Sequence, residues 1–279
     1  MKLIRFGEVG QEKPGVVDAD GTIRDASGVV ADYAPDTIAA ALETLRGVDI
    51  AGLPKAPEGA RVGAPLKRIG HFIAIGLNYA DHAAETGAAI PAEPIVFSKA
   101  PNCLCGPNDD VLMPRGSVKL DWEVELAIVI GKRADYVEEK DALDHVLGYA
   151  LCNDVSEREY QAERGGQWMK GKSAPTFGPL GPWIATTDEI GDPQNLDMFL
   201  DVNGGRCQTG NTRTMIFSVA HIVSYLSQFM ALEPGDVITT GTPPGVGLGM
   251  KPPRFLKAGD TMRLGIAGLG EQNQKVVAR

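Results

Sequence analysis

The chain has 279 residues, 43% of them hydrophobic and 23% charged, which is enough to bury a sizeable core and argues against disorder. A formal charge of -9 and a pI near 5.0 argue against general affinity for nucleic acid or an anionic membrane, since both need a cationic surface. No apolar stretch is long enough to span a bilayer, and Arg5 and Glu8 interrupt the segment a secretory leader would keep apolar, so a cytoplasmic location is expected.

The opening "LIRFG" and "GVVDADGTIRDAS" read as strands, with Asp20-Gly21 at a hairpin turn. Asp36 is expected to cap a short helix in which Ile38, Leu42 and Leu45 share a face and which Gly47 ends. The aperiodic, Pro- and Gly-rich "AGLPKAPEGARVGAPL" reads as a linker, so a small N-terminal domain is expected at 1–66 and a main domain at 67–279. Beyond it, "RIGHFIAIG" is a strand leading into a short helix in "LNYADHAAETG", and "EPIVFSK" and "DWEVELAIVIG" are strands. After "GYALCNDV", Ser156 and Glu159 have the S-x-x-E spacing of a capping box opening a helix to about residue 164. An Asn203-Gly204 hairpin follows, then a helix with the apolar stripe Val219, Ile222, Val223, Leu226 and Phe229. Many strands, few helices and no regular βαβ repeat predict a mixed, β-rich α+β fold.

Cys103, Cys105, Cys152 and Cys207 form no CxxC pair, so reduced thiols are expected rather than a zinc site. "GQWMKGKS" at 166–173 matches the phosphate-loop pattern G-x-x-x-x-G-K-[ST]. That motif needs a strand before it and a helix after it; here a polar helix precedes it and prolines at 175, 179 and 182 follow, so nucleotide binding is not expected.

Strand alternation in "DWEVELAIVIG" places Glu123 and Glu125 on one face. On the residues alone two readings stay open. The pair sits on a solvent-washed edge, where like charges cost little, or it holds a hard divalent cation with a third acid, Asp154 or Asp121. His82 and Glu85, three apart on a helical turn, are either a surface ion pair or a water-activating base with its orienting carboxylate. Lys172 is either solvated or set in a cleft to meet an oxyanion, and "TTGTPPGVG" is a turn whose amides and hydroxyls suit carboxylate binding.

The segments "GLNYADHAAE" (76–85), "DWEVELAIVIGKR" (121–133), "NDVSEREYQ" (153–161), "KGKSAPTFGPLGP" (170–182), "VNGGRCQTGNTRTMIF" (202–217) and "PGDVITTGTPPGVG" (234–247), in this order, resemble the fumarylacetoacetate hydrolase family. The resemblance implies a β-sandwich or roll catalytic domain, magnesium or manganese held by Glu123, Glu125 and Asp154, and water activated by His82 and Glu85. It further implies that Lys172 is catalytic, that Tyr79, Arg158, Gln161, Gly241 and Thr242 contact substrate, and that the protein is a homodimer. Leu77 stands where many relatives carry arginine and Pro175 where an aspartate is frequent. The first departure removes an expected contact to a distal carboxylate; the second leaves the loop geometry after Lys172 open. The N-terminal segment and "GLGEQNQ" look more like members acting on 2,4-diketo-3-deoxy sugar acids of the fuconate and rhamnonate pathways.

The implied activity is hydrolysis of the C3–C4 bond of a small 2,4-dioxo acid to pyruvate and a second acid such as lactate. The rival within the family is isomerisation of a hydroxymuconate-like diacid or decarboxylation of oxaloacetate. A binding protein without catalysis is a third reading, which the intact His82/Glu85 pair disfavours.

Overall fold

The computed structural model of the chain describes residues 1–87 and 89–279 and, within them, every side chain except those of His82 and Thr86. The architecture is mixed α+β, rich in sheet and poor in helix. Among the described residues the larger sheet has ten strands, with the main path Ile23–Asp25, Lys13–Val17, Lys2–Phe6, Ile184–Thr186, Val146–Asn153, Val124–Ile130, Val237–Thr239, Phe72–Gly76 and Ile95–Lys99, and Val62–Gly63 pairing beside Lys2–Phe6. The first strands thus continue a sheet that the rest of the chain builds, through pairs such as Leu3 with Ile184.

Val124–Ile130 runs through the middle of this sheet, antiparallel to neighbours on both sides, and every one of its residues is buried. A strand covered on both faces reads as a nearly continuous aliphatic run, which is what "VELAIVI" is, apart from Glu125. Among the described residues a second sheet of five strands runs Gly205–Asn211, Asp197–Val202, Thr261–Ile266, Gly270–Ala278 and Val111–Met113. Leu200, Met198 and Leu264 from it share one apolar core with Leu126, Ile128 and Leu151 of the larger sheet. Its first hairpin turns at Asn203 and Gly204, both with positive φ (53° and 75°), as a two-residue turn matched to strand twist requires.

Three local expectations change. The helix Ile38–Arg46 starts after Thr37, and Asp36 instead accepts from Arg68 Nη2 at 2.7 Å. Ser156 lies in a short strand paired with Leu120–Asp121, and its hydroxyl donates to the Asp154 carbonyl at 2.9 Å, so it caps nothing. Glu157 instead accepts from Tyr160 N at 2.8 Å, and the segment after it forms a π-helical turn, Glu159–Glu163. Phe229 lies past the helix Val219–Ser227, 64% exposed against the Tyr225 ring, while Val219, Ile222, Val223 and Leu226 are buried as expected.

One feature of the topology places the site. Val237–Thr239 and Phe72–Gly76 are parallel, so both leave the sheet at the same end. The antiparallel pairing of Val124 with Asn153 and of Ala127 with Thr239 brings the start of one strand and the exit of another to that same end. Among the described residues no helix is long and apolar enough to cross a membrane.

Candidate active site

At this end of the sheet Glu123 and Glu125 project on either side of Val124, and the Asp154 amide donates to the Glu123 carbonyl at 2.9 Å, extending the pairing one step beyond Asn153. The three carboxylates are buried, and one oxygen from each lies within 4.8 Å of the others. The solvent-washed reading of the pair therefore fails, because the strand is interior. Asp121 is turned away from this group: it accepts from Arg158 Nε at 2.8 Å and from the amides of Gly247 and Leu248 at 2.7 and 3.0 Å.

Three buried cations answer the acids. Lys172 Nζ donates to Glu123 Oε2 at 2.7 Å and Asp154 Oδ2 at 2.8 Å, and lies 5.3 Å from the Phe97 ring centroid. Arg158 bridges Asp121 and Glu123, with Nη2 2.7 Å from Glu123 Oε1. Lys99, which no motif flagged, donates to Asp154 Oδ1 at 2.5 Å and to the Lys172 carbonyl at 2.6 Å. Its only signal in the sequence is its place at the end of the apolar strand Ile95–Lys99, where a charge has to find a buried partner.

Electrostatics separates the two glutamates. Burial by itself would raise the Glu123 carboxyl, but Lys172 and Arg158 outweigh it and hold the group well below the usual range. Burial, then the like charges of Asp154 and Glu123, push Glu125 well above it, against the Lys172 charge and the Gly241 amide that donates to Oε2 at 2.9 Å. Fully ionised, the four carboxylates (Asp121, Glu123, Glu125, Asp154) outnumber the three cations (Lys99, Arg158, Lys172) among the described residues by one negative charge, an excess that without an ion is relieved by the proton Glu125 retains. Converging hard oxygens with an uncompensated charge suit a divalent ion of the magnesium or manganese kind.

The cavity over this cluster has a volume of about 280 Å³, near the lower bound of small-molecule sites, and Glu123, Glu125, Arg158, Gln161, Lys172, Gly241 and Thr242 all reach its lining. Several of these are committed to the protein. The Thr242 hydroxyl donates to the Val124 carbonyl at 2.9 Å and accepts from Gln208 at 2.8 Å, and Gln161 Oε1 accepts from Arg158 at 3.1 Å. Tyr79, expected at the substrate, is fully buried outside the described lining, with its hydroxyl donating to Met198 Sδ at 3.3 Å. Glu85 accepts from the Gly245 amide at 3.1 and 3.2 Å, which ties the helix Ala80–Thr86 to the turn after Thr242; the His82 side chain lies outside the described residues.

Leu77 also reaches the lining, with a positive φ of 51° that a branched residue adopts only when its surroundings impose it. Next to it, Asn78 donates to the carbonyls of Thr240 (2.8 Å) and Phe217 (3.1 Å) and accepts from Phe217 N (2.8 Å), joining the turn at Leu77 to the turn after Thr240 and to the segment at Phe217. Asn78→Ala is expected to cost about 1–3 kcal/mol for each buried partner left unpaired, read from urea unfolding.

A family model described as "Fumarylacetoacetate (FAA) hydrolase C-terminal" matches residues 71–277. A protein of Burkholderia ambifaria (strain MC40-6), whose name goes no further than hydrolase, is 61% identical over 276 residues, 98% of either chain. The solved structure of a fumarylacetoacetate hydrolase from psychrophilic Exiguobacterium antarcticum is similar with a TM-score of 0.87 at 37% identity, covering 100% of both chains. That of a 5-carboxymethyl-2-hydroxymuconate delta-isomerase from Mycobacterium smegmatis is similar with a TM-score of 0.79 at 32% identity, covering 100% of this chain and 99% of that one.

Proposed function

The chain belongs to the fumarylacetoacetate hydrolase family, and from that premise we propose that it is a metal-dependent hydrolase that cleaves the C3–C4 bond of a 2,4-dioxo acid, giving pyruvate and a second carboxylic acid. The observation that carries this reading is the convergence of Glu123, Glu125 and Asp154 in a cluster that, fully ionised, has one negative charge more than its cations. Such a site holds magnesium or manganese and, once loaded, favours a monoanionic acid. When bound, the ion supplies positive charge to the substrate's carboxylate and 2-oxo group, making the three-carbon fragment a better electron acceptor.

The remaining work falls to the chain. Glu85, held by the Gly245 amide, orients His82 as the base that takes a proton from water while the water oxygen bonds to C4. The C3–C4 bond breaks, its electron pair stays with the pyruvate fragment, and the proton returns to C3. Lys172, fixed by two carboxylates on the cavity floor, opposes the negative charge that develops on that fragment. The similarity of the N-terminal segment to enzymes of 2,4-diketo-3-deoxy sugar acids favours a hydroxylated acyl group and lactate as the second product, whereas the largely apolar cavity wall favours an alkyl or aryl one. A homodimer in the cytoplasm completes the proposal.

The test is pyruvate release from a panel of 2,4-dioxo acids with Mn²⁺ and with EDTA; turnover that EDTA leaves untouched overturns the metal, and no turnover of any member overturns the hydrolase. The likeness to the M. smegmatis isomerase supports a second reading, enolate chemistry without water. His82→Ala distinguishes the two. Hydrolysis is expected to fall about 100- to 10,000-fold with the base removed, whereas isomerisation or decarboxylation through the same carboxylate cradle keeps its rate.

A further inference from the structure

We infer that the cavity selects an uncharged, apolar acyl group, so that the substrate is a monocarboxylic acylpyruvate with an alkyl or aryl end rather than a diacid or a hydroxylated sugar acid. The inference rests on the proposed reading of the site and narrows it. Away from the acids the wall is built from Ile75, Leu77, Phe97, Trp168, Val246 and Leu248. Trp168 meets Phe97 edge to face with ring centroids 5.2 Å apart, forming an aromatic corner. That corner depends on Gly76, where a Cβ would lie 2.5 Å from Trp168 Cζ3.

The polar groups of the lining are already engaged. Lys172 is bound by Glu123 and Asp154, and Arg158 by Asp121 and Glu123, so among the described lining residues neither cation is left over for a second substrate carboxylate. The Thr242 hydroxyl is both donor and acceptor to protein atoms, which leaves the Gln161 carboxamide as the main polar group for a substrate hydroxyl. A carboxylate pressed against the Trp168–Phe97 corner would lose its hydration and gain no partner, whereas a methylene there gains burial.

The experiment compares matched pairs. In turnover, 2,4-dioxopentanoate, 2,4-dioxohexanoate and 2,4-dioxoheptanoate are expected to rise in kcat/KM by about fourfold per methylene, the value of one buried CH₂. By the same logic 2,4-dioxoheptanedioate is expected at least about 100-fold below 2,4-dioxoheptanoate, and 5-hydroxy-2,4-dioxohexanoate about tenfold below 2,4-dioxohexanoate. Independently of turnover, calorimetry on the Mn²⁺-loaded protein compares two probes that cannot be cleaved, 2-oxoheptanoate and 2-oxoheptanedioate. Tighter binding of the monoacid supports the inference even if no dioxo acid is hydrolysed, a result that would sink the hydrolase reading alone. Equal or tighter binding of the diacid, or preference for the hydroxylated substrate, overturns the inference and leaves the hydrolase reading standing. Leu248→Arg, at a wall position 47% exposed, places a new cation beside the acyl group and is expected to narrow or reverse the diacid penalty.

Discussion

Replacing Glu125 with glutamine is expected to abolish divalent-ion binding and lower kcat/KM by at least about a thousandfold, while making the metal-free protein more stable. The two effects share one cause. Glu125 is buried beside Asp154 and Glu123 and has the Gly241 amide on Oε2, so its negative charge suits an ion and is a burden without one. A glutamine keeps the shape and the acceptor oxygen and removes the charge. The pH dependence gives the sign. Because the folded protein holds the Glu125 proton more tightly than the unfolded chain does, its contribution to stability is intact below the ordinary glutamate range and is lost as pH rises toward the raised folded value. The gain from E125Q should therefore grow with pH above about 4.3, reaching the order of 1 kcal/mol or more. Glu123 has the opposite slope, since Lys172 and Arg158 hold it low, and the quantity to read is the difference between wild type and E125Q at each pH. Melting in EDTA at several pH values and titration calorimetry with Mn²⁺ read both effects; unchanged Mn²⁺ affinity, or a variant less stable than wild type at high pH, would refute the assignment.

Lys99→Met should be the most destabilising single change at the site, by about 3–5 kcal/mol, because it leaves Asp154 Oδ1 and the Lys172 carbonyl buried without their shared donor. Its partner variant separates charge from packing. In Lys99→Met/Asp154→Asn the stranded negative charge is gone, so the double variant should be less destabilised than the sum of the singles. Urea unfolding of all four proteins measures the coupling, and a cost below about 1 kcal/mol for Lys99→Met would mean that Lys99 does not hold Asp154 in place.

How much of this was legible beforehand depends on how local the signal is. The convergence of Glu123 and Glu125 follows from period-2 geometry across the start of the strand Val124–Ile130, and Asp154 was marked by standing where an apolar run ends. Lys172 sat inside a sequence that imitates a phosphate loop, and was recognisable through resemblance to a family rather than through spacing. Lys99 and Phe97 were invisible because their partners are 55 residues away for Asp154 and 71 for Trp168, distances along the chain that only the sheet order closes. Local rules misled where the tertiary structure offered a competing bond. Ser156 had the right spacing for a cap, yet strand pairing with Asp121 claimed its backbone and the Asp154 carbonyl claimed its hydroxyl. Tyr79 sits in the family motif, but its ring fills the core and its hydroxyl reaches sulfur.

The three clustered acids stand at strand ends stitched together by main-chain pairing, whereas much of the apolar cavity wall is carried by the connections around 161–168 and 244–248. Substitutions in those connections can therefore reshape the wall one residue at a time without touching the paired strand ends that place the acids. The selectivity of the cavity and the placement of its acids are thus open to separate change.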